Sequence, residues 1–211
     1  MALKPKWSAN QIAPTGRAAL ALARQHQAAI SDRLPAGVID GLAVDLDAFE
    51  GKRSAASRSG EVLRTATREQ DAAAAKGHAF AVAARAALTR SGANAAERAA
   101  FGLKLKLKAD KVASVVACLD ALLDGATRFP DAARAAGLLS TDFDRARSLR
   151  ASLTSADAVQ ETAKSTRKNP VSERKAAQVR IENAIDGIIN AGTLAFIDQP
   201  DIATQFQKLV P

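Results

Sequence analysis

An all-α fold is what this sequence predicts, in the form of an elongated antiparallel helical bundle of four to five main helices, one of them unusually long. Three observations lead there. Fifty of the 211 residues are alanine, the best helix former. Aromatic residues make up only 4% of the chain and tyrosine is absent, whereas strands favour aromatic and β-branched side chains. Apolar and small residues also recur at alternating steps of three and four, which places them on one stripe of a helix.

The long helix is expected over 37–91. Ile39, Leu42, Leu46, Phe49, Ala56, Leu63, Ala74, Ala81, Ala84 and Leu88 form its stripe, and no proline interrupts it. Leu34-Pro35 precedes it and Ser91-Gly92 closes it, an ordering that suits helix ends. The stripe is thinnest at Gly51-Lys52-Arg53-Ser54 and Ser59-Gly60, and Gly77 is a further soft point.

Ahead of it, residues 1–14 read as an irregular leader with Pro5 and Pro14 as breakers and Trp7 tacking it to a helix surface. A first helix follows over about 15–33, with Leu20, Ala23, Ile30 and Leu34 on one face. After Gly92, Asn94-Ala-Ala-Glu97 has the spacing of a capping box and starts a third helix over about 95–124. Leu103-Lys-Leu-Lys-Leu107-Lys alternates like a strand for six residues. Its neighbours on both sides fit a helix, so it is assigned to the helix. Phe129-Pro130-Asp131 opens a short helix that Gly137 closes. Two further helices are expected over 141–168 and 170–197, divided at Asn169-Pro170, where asparagine suits an N-cap and proline the first turn. Residues 15–198 are read as one helical-bundle domain, and 199–211 as a short helix after Pro200 with a tail. Gly37 and Gly137 lie 100 residues apart, as do Gly92 and Gly192, but the offset identities between them are near chance for so alanine-rich a chain.

Composition excludes several kinds of chemistry. The single cysteine, Cys118, can form no internal bridge, so nothing points to an oxidising compartment. No run of eighteen apolar residues exists to span a bilayer and no signal-peptide pattern opens the chain, so a cytoplasmic protein is expected. His26 and His78 lack the partners of a zinc or di-iron site. Asp40, Asp45, Asp47 and Glu50 lack the loop spacing of a calcium hand and read as a solvated acidic face. Asp120 and Asp124 are four apart beside Leu119 and Leu123, placed to meet basic residues of a neighbouring helix. No phosphate loop, nucleophile elbow or Cys-x-x-Cys occurs, so no catalytic, cofactor or metal residue is assigned and the chain is read as a non-enzyme without cofactor.

The net charge of +8 gathers in two places. Arg98, Lys104, Lys106, Lys108 and Lys111 form one basic patch, and Arg167, Lys168, Arg174 and Lys175 a second. Both are candidate contacts for an anionic partner. The function expected is a helical scaffold or assembly protein that presents long helix faces to protein partners or to its own copies. The alternative is a basic nucleic-acid-associated protein that contacts the phosphate backbone without sequence specificity. Aromatic platforms for single strands are missing, which weighs against the alternative.

Overall fold

The computed structural model describes residues 6–211. Pro5, read as a breaker, lies outside them. Every regular element among them is helical. In chain order these are α1 (Ile12–Gln25), α2 (Gln27–Ile30) with a 3-10 turn at Ser31–Arg33, α3 (Val38–Arg90), α4 (Ala95–Ala100), α5 (Val112–Arg128), α6 (Pro130–Ala135), α7 (Ser140–Ala195) and α8 (Pro200–Gln207).

The expected long helix is present: α3 runs unbroken for 53 residues. Of its predicted stripe, Leu42, Leu46, Phe49, Ala56, Ala74, Ala81, Ala84 and Leu88 are buried, and Ile39 and Leu63 are half-buried. Two other expectations need correction. Helices 141–168 and 170–197 are one helix, the 56-residue α7, with Pro170 in its interior. Proline removes one backbone donor there, but Thr166, whose carbonyl loses that partner, is exposed and can turn to water. The fold therefore has two very long helices where one was expected.

The helix expected over 95–124 is also not continuous. It divides into α4 and α5, and residues 101–111 between them are irregular. Gly102 has φ +64°, a left-handed conformation that ends α4, and a Cβ there would lie 2.6 Å from Ala121 Cβ. Smaller corrections fall at the start. The first helix begins at Ile12, with Pro14 inside its first turn, and breaks at His26 before reaching Arg33. Gly92 has φ +77° and closes α3, whereas Gly192 is an interior residue of α7, so the 100-residue correspondence fails at that end.

The chain forms two compact units. Unit 1 comprises residues 1–60 and 166–211, and unit 2 is the continuous stretch 61–165. In each, a segment of α3 pairs with a segment of α7 running the opposite way. Within unit 1, Asp45 meets Arg180, and the Gly60 backbone lies near Arg167. Within unit 2, Thr67 meets Gln160, Gln70 meets Asp157, and Gly77 approaches Leu153. As one number rises the other falls, the signature of antiparallel packing.

Unit 1 has a core of large side chains: Trp7, Ile12, Ile30, Leu42, Leu46 and Phe49 against Ile181, Ile185, Ile188, Phe196 and Phe206. Trp7, ahead of α1, does pack onto a helix, α7. Its N–H donates to Glu182 Oε1 at 3.3 Å and its carbonyl accepts from Gln178 Nε2 at 2.7 Å. Lys6 adds a 2.5 Å ion pair to Asp186. Unit 2 has its own core of Ala74, Ala81, Ala84, Leu88, Phe101, Val115, Cys118, Leu119, Leu122, Ala133, Ala146 and Leu153.

Candidate anionic-partner surface

The first basic patch belongs to unit 2 and, apart from Arg98 on α4, sits on the irregular segment. Its position starts with α4. Asn94 caps this helix, its Oδ1 accepting the N–H groups of Ala96 (2.9 Å) and Glu97 (3.0 Å). Glu97 reaches back to accept the Asn94 N–H at 2.7 Å, which completes the expected capping box. One and a half turns later the chain leaves the helix at Phe101, whose ring is fully buried against Gly125. A Cβ on Gly125 would stand 2.4 Å from that ring, so α5 must carry glycine where Phe101 lands.

From there two side chains hold the backbone. Arg85, on α3, donates through NH2 to the carbonyls of Leu103 and Leu105, the latter at 3.0 Å. Ser114 Oγ accepts the Lys108 N–H at 2.9 Å and donates to the Lys106 carbonyl at 2.6 Å. Leu103 and Leu107 pack half-buried against the unit 2 core. Lys104, Lys106 and Lys108 are left exposed, as is Arg98 near the end of α4. Lys111, the residue before α5, is exposed with its ammonium 4.0 Å from Asp110. The alternation of Leu and Lys is thus real, but it describes a pinned loop with an inner and an outer side.

Arg85 and Ser114 were not read from the sequence as part of this surface. A signal for Arg85 was present. It falls one position after Ala84 and four after Ala81, on the edge of the apolar stripe, where a guanidinium needs acceptors.

The second patch lies on α7 in unit 1. Arg167, Lys168 and Lys175 are exposed and Arg174 is half-buried, with its Nε enclosed and without a partner among the described residues. Seven-residue spacing puts Arg167 and Arg174 on one line of the helix and Lys168 and Lys175 on another, about 100° round. The two patches belong to different units.

The remaining candidates resolve as structural groups. His26 packs edge-on against Phe196, centroids 4.8 Å apart, and also against Phe206 at 5.9 Å, with its Nε2 buried. Asp45 forms a two-pronged pair with Arg180, with contacts of 2.5 to 3.1 Å. Its hydrogen bond raises the arginine's pKa above the ordinary value, against a smaller opposing effect of desolvation. Glu50 lies 3.8 Å from Arg17 and 3.9 Å from Arg53, while Asp40 and Asp47 are exposed. Asp120 pairs with Arg150 of α7, as a neighbouring-helix partner should, and Asp124 is exposed. Among the described residues no three His, Cys, Asp or Glu side chains come together as a metal site, and no helix is long and apolar enough to cross a membrane.

No protein family, curated protein or solved structure matches this chain.

Proposed function

We propose that the chain is a helical scaffold, a protein that works by presenting helix faces to protein partners or to its own copies. The observation that carries this reading is the pair of helices α3 and α7, 53 and 56 residues long, which build both units and also keep large apolar side chains in water. Val44 on α3 is 68% exposed, and Val62, Val82, Val159, Val179 and Leu194 are exposed on the same two helices. Ile197, just past the end of α7, is 71% exposed. None of these residues is needed by its own core, and each offers apolar area that association would remove from water.

Ionic chemistry is consistent with a binding role. Among the described residues most cation–carboxylate pairs are local, as in Arg64–Glu61, Arg134–Asp131 and Arg147–Asp144, three residues apart on exposed helix faces. Such pairs hold the helices soluble and contribute little stability.

The test is the mass and neighbourhood of the native protein. Purified from its source, it should run as an assembly heavier than the 22.0 kDa chain. Lysine cross-links should join α3 or α7 to another polypeptide or to a second copy. A 22.0 kDa monomer with only internal cross-links would sink the reading.

A further inference from the structure

The segment 98–111 carries positive charge that its own unit does not use. Residues 61–165 hold sixteen lysines and arginines against twelve carboxylates. Five of those cations and one of those acids fall within 98–111, which leaves the rest of the unit at eleven of each. Nor does the neighbouring acid neutralise the patch, because Glu97 is committed to the Asn94 N–H. Lys111 has Asp110 at 4.0 Å. For Arg98, Lys104, Lys106 and Lys108, no carboxylate among the described residues lies within that distance.

The charge is also mounted on a held backbone. Arg85 grips the carbonyls of Leu103 and Leu105, and Ser114 bridges Lys106 and Lys108. Ordering the loop on binding therefore costs less than ordering a free lysine-rich tail. We propose that this loop binds the phosphate backbone of a nucleic acid without reading its sequence. Lysine ammoniums are point charges on long stems, suited to phosphate oxygens in any register. Each contact releases condensed counterions, so affinity comes from charge and falls steeply with salt. A protein partner fits less well. Leu105, 42% exposed, is the one large apolar side chain the loop shows, and protein interfaces are depleted in lysine at their centres. This proposal does not rest on the scaffold reading, which concerns α3 and α7.

The experiment is a binding titration of the full chain against a fluorescein-labelled duplex of random sequence, starting at about 50 mM salt, where phosphate contacts are strong. Polyglutamate of similar charge serves as the second probe. The loop variant carries Lys104→Glu, Lys106→Glu and Lys108→Glu. A control of equal net charge carries Arg58→Glu, Lys76→Glu and Lys208→Glu, three exposed residues outside both basic patches. The loop variant should bind the duplex at least about tenfold more weakly than the control, and its salt slope should be shallower by about 2–3. A triple Lys→Gln variant, with helix content checked by circular dichroism, should lose affinity in the same direction. Three results would overturn the proposal: no duplex binding at low salt, equal losses in the loop and control variants, or tighter binding to polyglutamate than to the duplex. The last would assign the loop to an acidic protein.

Discussion

Units 1 and 2 draw on the same two long helices yet fill their cores differently. Unit 1 packs isoleucines and aromatics: Ile12, Ile30, Ile181, Ile185 and Ile188 surround Trp7, Phe49 and Phe206. Unit 2 lines α3 with Ala74, Ala81 and Ala84 and brings helices close where Gly77 meets Val115 and Leu119. One core is bulky and the other is thin. Both use one shared device, a phenylalanine seated on a helical glycine. Phe101 covers Gly125 in unit 2, and Phe206 covers Gly192 in unit 1, where a Cβ would stand 2.3 Å from the ring. The difference teaches that the same pair of helices can be held together by bulky side chains in one unit and by close approach of small ones in the other, with Phe101 adding volume to the alanine-lined core of unit 2.

Chemistry provides one reporter for each unit. Trp7 is the only tryptophan and is buried in unit 1, while Cys118 is the only cysteine and is buried in unit 2. Urea unfolding followed by tryptophan emission and by thiol labelling reads the two cores separately. The largest effect is expected from Phe206→Ala, which empties the seat over Gly192 and should cost about 3–5 kcal/mol in the Trp7 transition. Leu119→Ala should follow at about 2–5 kcal/mol in the Cys118 transition, since Leu119 is fully buried beside that thiol. If both variants moved both signals equally, the two cores would melt as one and the contrast between them would have no energetic content.

Pro170→Ala sharpens the comparison in the opposite direction. With Pro170 inside α7, alanine restores a donor for the Thr166 carbonyl, and the transition read by Trp7 should gain about 1–3 kcal/mol of stability. No gain would mean that the helix breaks at Asn169 after all. The smallest change is Asn94→Ala. Losing the capping box should cost about 1 kcal/mol in unit 2, seen as faster labelling of Cys118.

Local signals carried most of the secondary structure. The three-and-four periodicity of α3, the Asn94–Glu97 box and the prolines that open α6 and α8 each act within a few residues, so the sequence displays them directly. What escaped was decided by distant groups. Nothing near Leu103 announces that an arginine eighteen residues earlier will donate to its carbonyl, and without that donor the Leu–Lys alternation reads as well for helix. Asn169-Pro170 failed for a different reason. Its local preference for a helix start is genuine, but a solvated carbonyl makes an interior proline tolerable. Val159 follows Leu153 and Ala156 at steps of three, a spacing that suits the buried stripe, yet it is exposed and its neighbour Gln160 is buried, with Nε2 toward Thr67. A buried amide breaks an apolar pattern that hydropathy alone would continue. For the basic patches, residue identity was legible and presentation was not: the lysines are visible in the sequence, while the arginine and serine that display them are a tertiary property.

The interleaving of the two units along the chain has a kinetic consequence. Unit 2 is contiguous, so its contacts close over loops of at most about a hundred residues and can form once Ser165 has been synthesised. Unit 1 joins the first sixty residues to the last forty-six and cannot assemble until the end of α7 and α8 arrive. During synthesis Trp7, Ile12 and Phe49 therefore wait without their Ile181, Ile185 and Phe206 partners. Refolding should show the same order, with Cys118 protected in an early phase and Trp7 emission settling in a later one.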